Sequence, residues 1–255
     1  TPAKAVCFQN IKTTKIFLLR EATILTTAGI QISSLRPFLQ TQRDALSAFS
    51  RLSAMGCRIV QLQWLSPSFS PQWIAKALNQ AGLKSVSTQD SFEQVQKNWN
   101  YTIRLNQLCG SSHICVSGIP CGNLDEAACR RFVPEANRMV SLLAAMGMTL
   151  SFHPRAREYG KIRDKTAVEL VLEQVPGIML GLDAVKAGAD VVSFICRFAS
   201  RIDFVHFKDF CIDKNGLEHL VPLGQGCVDW RPLICACRDA NIPWIFAEQE
   251  TWDKD

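Results

Sequence analysis

The stretch Met139-Val-Ser-Leu-Leu-Ala-Ala-Met-Gly-Met-Thr-Leu-Ser-Phe-His153 carries the alternation that decides the fold. Met139, Val140, Leu143 and Met146 recur at three- and four-residue spacing, the period of a helix with one apolar face. Gly147 interrupts that period as a helix-closing turn residue, and Met148 to His153 is an apolar run of strand length ending on an imidazole. Similar units recur on both sides. Further strand-like runs are Gly29–Leu35, Cys57–Leu65, Leu83–Gln89, His113–Ile119, Ile178–Asp183, Asp203–Phe207 and Trp244–Glu248. Helical sets such as Ala45, Leu46, Phe49 and Leu52 fill the gaps, and Gly56, Gly82 and Pro243 sit at the expected turns. Eight strands alternating with helices predict an α/β protein, a (β/α)8 TIM barrel. No GxGxxG follows a strand, which argues against a dinucleotide-binding open sheet.

The 255 residues, 47% of them apolar, suffice for one such barrel, and 11 Pro with 14 Gly are too few for a low-complexity chain. Residues 1–28 precede the first strand and are expected to form a lead segment outside the barrel domain, 29–255. Only Gln249–Asp255 follow the eighth strand, so the last helix is expected to be missing. An uncovered barrel face invites pairing, which is compatible with a homo-oligomer. No apolar run approaches a membrane span, and the net charge of +5 is spread without a dense basic stripe, so neither a membrane nor a nucleic acid is expected as partner. Eleven cysteines, an odd number without a CxxC pair, read as small buried hydrophobes in a reducing, cytoplasmic setting.

Barrel chemistry belongs at the C-terminal ends of the strands. There the sequence places His153, Arg155 and Glu158 after strand five, Asp183 after strand six, His206, Lys208 and Asp209 on strand seven, and Glu248 and Glu250 after strand eight. Burying such groups is costly unless they pair with one another or with a cation. Carboxylates and an imidazole together form a hard oxygen and nitrogen set suited to manganese, magnesium, cobalt, iron or zinc.

Six stretches then carry a specific resemblance: Gly29-Ile-Gln-Ile-Ser-Ser-Leu-Arg36, Ala81-Gly-Leu-Lys-Ser-Val-Ser87, Phe152-His-Pro-Arg-Ala-Arg-Glu158, Arg201-Ile-Asp-Phe-Val-His-Phe-Lys-Asp209, Leu223-Gly-Gln-Gly-Cys-Val-Asp-Trp230 and Phe246-Ala-Glu-Gln-Glu250. The chain resembles the xylose isomerase-like TIM barrel superfamily, sugar phosphate isomerase/epimerase branch. The resemblance implies one divalent metal ion, manganese first, held by Glu158, Asp183, His206 and Glu248. It implies isomerisation or epimerisation of a sugar or cyclitol through an enolate or enediolate. Glu158 or Glu248 would exchange the proton, His153 would be a second acid or base, and Lys208 would steady the oxyanion.

The pattern also departs from the family. Pro154 and Arg155 replace an Asn and a second His, Lys186 stands where a His is usual, and the loop before Gly188 is about three residues short. Two other readings follow: a lyase or dehydratase of the same family acting on an oxidised glycoside or inosose, and a degenerate barrel that binds sugar without turnover. Arg155 and Arg157 are candidates for binding an anionic substrate group, while Trp64, Phe69 and Trp252 are candidates for apolar walls. His113 is expected to be structural, and His219 is given no role.

Overall fold

A computed structural model describes residues 26–185, 187 and 190–250. Its centre is a closed barrel of eight parallel strands: β1 (Thr27–Gln31), β2 (Ile59–Leu62), β3 (Lys84–Ser91), β4 (His113–Ser117), β5 (Thr149–His153), β6 (Met179–Asp183), β7 (Ile202–Phe207) and β8 (Trp244–Ala247). Each strand pairs with its neighbours in sequence, and β8 closes on β1 from Thr27↔Trp244 to Ile30↔Ala247. Helices at residues 42–54, 71–80, 92–97, 99–109, 126–144, 167–174, 191–198 and 230–239 lie between the strands. Side chains start several of them: Thr41, Ser70, Asp125 and Thr166 each accept a first-turn amide, satisfying donors the helix leaves without partners. The first strand begins inside the segment expected to precede the barrel. Residues 1–25 and 251–255, and with them most of that segment, lie outside the described residues.

Several expected strands are shorter than their apolar runs, the first two most of all. β1 stops at Gln31, and Ile32–Phe38 form a 3-10 turn. Ile32, Leu35 and Phe38, three residues apart, are all buried on one side of it, which a strand's alternation could not achieve. β2 stops at Leu62, and Trp64 two residues later takes a left-handed φ of 59°. Two antiparallel hairpins, 161–162 with 165–166 and 209–212 with 218–221, decorate the barrel mouth and were not visible as periodicity. Among the described residues, no helix is long and apolar enough to cross a membrane. The ten described cysteines are free thiols; Cys57, Cys115, Cys129 and Cys237 are buried, but Cys196 and Cys227 are exposed, correcting the expectation that all serve as core.

The barrel interior is layered. Cys115, Phe204 and Phe246 fill its middle. Toward the N-terminal ends of the strands, Asp203 accepts from Ser151 Oγ at 2.5 Å and faces His113 Nδ1 at 2.9 Å, giving His113 the expected structural place. Gly181 on β6 lies against the Phe204 ring so closely that a Cβ would overlap it. Phe204 is fully buried and cannot swing into solvent. Gly181→Ala should therefore cost about 1–3 kcal/mol by overpacking, and Phe204→Leu in the same chain should recover part of the loss. Urea unfolding of the single and double variants checks this; an unchanged Gly181→Ala midpoint would contradict it.

Candidate active site at the barrel mouth

The C-terminal ends of β6, β7 and β8 bring Asp183, His206, Lys208 and Glu248 into one buried cluster, none more than 5% exposed. The ladder sets the pairing: Asp183 lies beside His206, and Phe246 and Ala247 run beside His206 and Phe207. Lys208 Nζ contacts Asp183 Oδ2 at 2.9 Å, Glu248 Oε2 at 3.1 Å and Glu250 Oε1 at 2.5 Å. His206 Nδ1 stands 2.8 Å from Glu248 Oε2. Ser33 donates to Glu248 Oε1 at 3.2 Å, and the Gln249 amide donates to Ser34 Oγ at 2.9 Å. The 3-10 turn after β1 thus braces the end of β8.

Burial alone would lower the Lys208 pKa, but Glu248, Asp183 and Glu250 together raise it above that of an ordinary lysine. Burial would likewise raise that of Glu248, yet His206 and Lys208 hold it well below the usual carboxylate range. Both groups are therefore charged near neutrality. His153 behaves oppositely: burial, then the nearby His206 and Lys208, depress its pKa to about 3, so the ring is neutral.

The expected ligand set is only partly assembled. Asp183, His206 and Glu248 come together as expected, whereas Glu158 is fully buried in a separate network. Its Oε2 accepts the Arg155 amide at 2.7 Å, and its Oε1 accepts the Ile119 amide at 3.1 Å and Arg157 Nε at 3.0 Å. Arg157 also donates to the carbonyls of Ile119 and Cys121, which makes it a loop clamp. Arg155 is exposed. Trp64 is 52% exposed, with the Arg36 guanidinium 4.1 Å from its ring centroid; Phe69 is buried against Trp73. His219 pairs with Asp213 on the exposed hairpin. Lys186 and Trp252 lie outside the described residues.

Three side chains that the sequence reading passed over complete the cluster's support. Gln61 Oε1 accepts from Gln31 Nε2 at 2.8 Å and lies 2.6 Å from His206 Nε2, while Gln61 Nε2 donates to Ser87 Oγ. Its position within the apolar run of strand two was the available signal: a buried amide needs polar partners inside the barrel. Asp209, quoted in the sequence motif without a role, accepts from the amides of Phe210, Gly224, Gly226 and Val228 and from Trp230 Nε1. That explains why His-Phe-Lys-Asp and Leu-Gly-Gln-Gly-Cys-Val-Asp-Trp occur together. The loop wraps one carboxylate, and a Cβ on Gly226 would strike it.

The donor chemistry fits a divalent cation in one respect that geometry makes specific. His206 Nδ1 and Glu248 Oε2 are buried with no aligned hydrogen bond, yet only 2.8 Å apart. That is the distance of an ordinary ion pair, and holding one tetrahedral ion with bonds of about 2.0–2.2 Å would require the two atoms to spread to about 3.3–3.6 Å. Gln61 Oε1 is placed to accept the Nε2 proton of His206; a neutral ring would then present its lone pair from Nδ1, the tautomer a metal ligand requires. Among the described residues no three His, Cys, Asp or Glu side chains form a ready-made cage, and Lys208 supplies positive charge between Asp183 and Glu248.

The sequence matches no protein-family model and no curated protein. Solved structures do resemble it. A sugar phosphate isomerase/epimerase from Parabacteroides distasonis superposes with a TM-score of 0.73 at 17% identity, covering 92% of this chain and 91% of that one. This chain has the TIM barrel fold. A probable 3-DHS dehydratase, AsbF, from Bacillus anthracis gives 0.64 at 17% identity over 89% and 93% of the two chains. An IolI protein with a bound zinc atom gives 0.62 at 11% identity over 88% and 89%. At these identities the likeness establishes the fold alone.

Gln61→Leu should leave the His206 Nε2 proton without an acceptor and cost about 1–3 kcal/mol. Gln61→Glu keeps an acceptor and should cost less. Urea denaturation ranks the two, and equal midpoints would remove Gln61 from the site's support.

Proposed function

We propose that this chain is a divalent-metal-dependent isomerase or epimerase of a small sugar or cyclitol, working by proton transfer at the carbon beside a carbonyl. The observation that carries this reading is the pair of buried atoms without aligned hydrogen bonds, His206 Nδ1 and Glu248 Oε2, at the mouth of the barrel beside the Lys208 ammonium. Asp183, His206 and Glu248 would hold the metal, manganese first by the family resemblance. When bound, it supplies Lewis-acid polarisation of the carbonyl and its neighbouring hydroxyl.

The chain's own groups divide the remaining work. Lys208 donates an N–H to the substrate oxygen on which negative charge develops; Asp183, Glu248 and Glu250 keep it protonated. Glu248, ionised and placed by Ser33, takes the proton from carbon. Ser33, Ser34 and Gln61 hold the orientation of these groups. Delivery of a proton from solvent to the opposite face gives epimerisation, and return of the proton from Glu248 to the neighbouring carbon gives isomerisation. Glu158 takes no part, because its carboxylate is committed to Arg157 and two backbone amides.

A second reading, a sugar-binding barrel without turnover, draws on the same lysine. Its ammonium already has three carboxylate contacts. Incubation of the metal-loaded protein with keto sugars and inososes in deuterium oxide, followed by NMR, separates the two. Proton transfer places deuterium on the carbon beside the carbonyl; binding with no exchange and no product across that panel supports the barrel without turnover. Lys208→Ala should lower kcat by an amount equivalent to about 2–4 kcal/mol while leaving metal content unchanged. Wild-type turnover that carries no solvent hydrogen into the product would contradict the enolate route.

A further inference from the structure

We infer that His153, through Nε2, is the strand-five ligand of this metal site, in the place where Glu158 is expected from the family resemblance. The inference rests on the metal-dependent reading above and concerns which residues bind, not which reaction follows.

His153 is the last residue of β5 and only 4% exposed. Ser151, two residues earlier and on the same face of the strand, reaches Asp203 inside the barrel, so the alternation turns His153 inward at the mouth. Its ring centroid lies 4.8 Å from that of His206. The tautomer is fixed from behind: Nδ1 lies 2.8 Å from the Gly181 carbonyl, which can only accept, so Nδ1 carries the proton and Nε2 keeps the lone pair. His206 is prepared in the mirror sense by Gln61. Two neighbouring imidazoles, each with one nitrogen tied down by a hydrogen bond, are oriented as ligand histidines commonly are.

Charge and commitment exclude Glu158 from the same place. Both of its oxygens are engaged, and withdrawing the carboxylate would strand the Arg157 guanidinium and two buried amides. A divalent ion and the Lys208 ammonium together carry three positive charges, which Asp183, Glu248 and Glu250 balance. A fourth carboxylate would leave the buried site with an uncompensated negative charge; a neutral imidazole does not. Two nitrogens and two carboxylates also move the preferred ion from magnesium toward zinc, cobalt or iron.

Cobalt(II) is the probe, because its visible absorption reports its ligands. Metal-depleted full-length protein is titrated with cobalt chloride by calorimetry and absorption, alongside His153→Ala, His153→Glu and Glu158→Gln. Wild type is expected to bind one equivalent. His153→Ala should weaken binding by about tenfold or more and change the spectrum. His153→Glu, which adds the fourth carboxylate, should bind more weakly than wild type, whereas imidazole added to His153→Ala should restore affinity, which guards against a merely misfolded alanine variant. Glu158→Gln should bind as wild type does even if it melts earlier. Wild-type affinity and spectrum in His153→Ala, or loss of cobalt in folded Glu158→Gln, would overturn the assignment. Failure of wild type itself to bind cobalt, zinc or manganese would overturn the metal-dependent reading and this inference with it.

Discussion

Lys208 brings an ammonium to a position only 2% exposed, and an ion there is tolerable only if counter-charges come with it. Asp183 arrives from β6, Glu248 and Glu250 from the end of β8, and Lys208 itself from the end of β7. One charge therefore couples the C-terminal ends of three successive strands, and Ser33 and Ser34 extend the coupling across the barrel seam to β1. Asp209, the next residue, takes five donors from its own backbone neighbour and the following loop, which fixes the chain on which Lys208 stands. Removing one partner of such a buried set typically costs about 3–5 kcal/mol, so these residues also hold the mouth closed.

The barrel's two polar layers do different work. At the lower end Asp203 gathers Ser151 and His113 into a self-satisfied group, and the T-shaped contact of His113 with Trp244 seals it. At the upper end Gln31, Gln61 and Ser87 form a chain that terminates on His206, and beyond it lie the two buried atoms without aligned hydrogen bonds. A self-contained polar group below and a cluster of charged groups above is the distribution expected of a barrel whose chemistry lies at the strand C-termini.

Eight strands were legible because buried parallel strands are short apolar runs and their helices show a different period. Asp183, His206 and Glu248 were legible because ionisable residues ended three of those runs. The partners of Glu158 were not legible for a physical reason: sequence gives the spacing of a carboxylate from the strand end but not the 3-10 turn at Ala156–Tyr159 that aims it at Arg157 and the Ile119 amide. Gln61 was hidden by its chemistry, since an uncharged amide within an apolar run carries no titratable signal. The apolar runs overstated β1 and β2 because Ile32, Leu35 and Phe38 are equally apolar in a 3-10 turn and in a strand.

On the proposed function, one divalent ion binds where β6, β7 and β8 end. Anomalous diffraction from crystals soaked in manganese or zinc tests it most directly. A single strong peak within bonding distance of Asp183, His206 Nδ1 and Glu248 Oε2, with Lys208 turned toward Glu250, is the expected result. A peak elsewhere, or full occupancy of that position by the Lys208 ammonium at saturating metal, would contradict it.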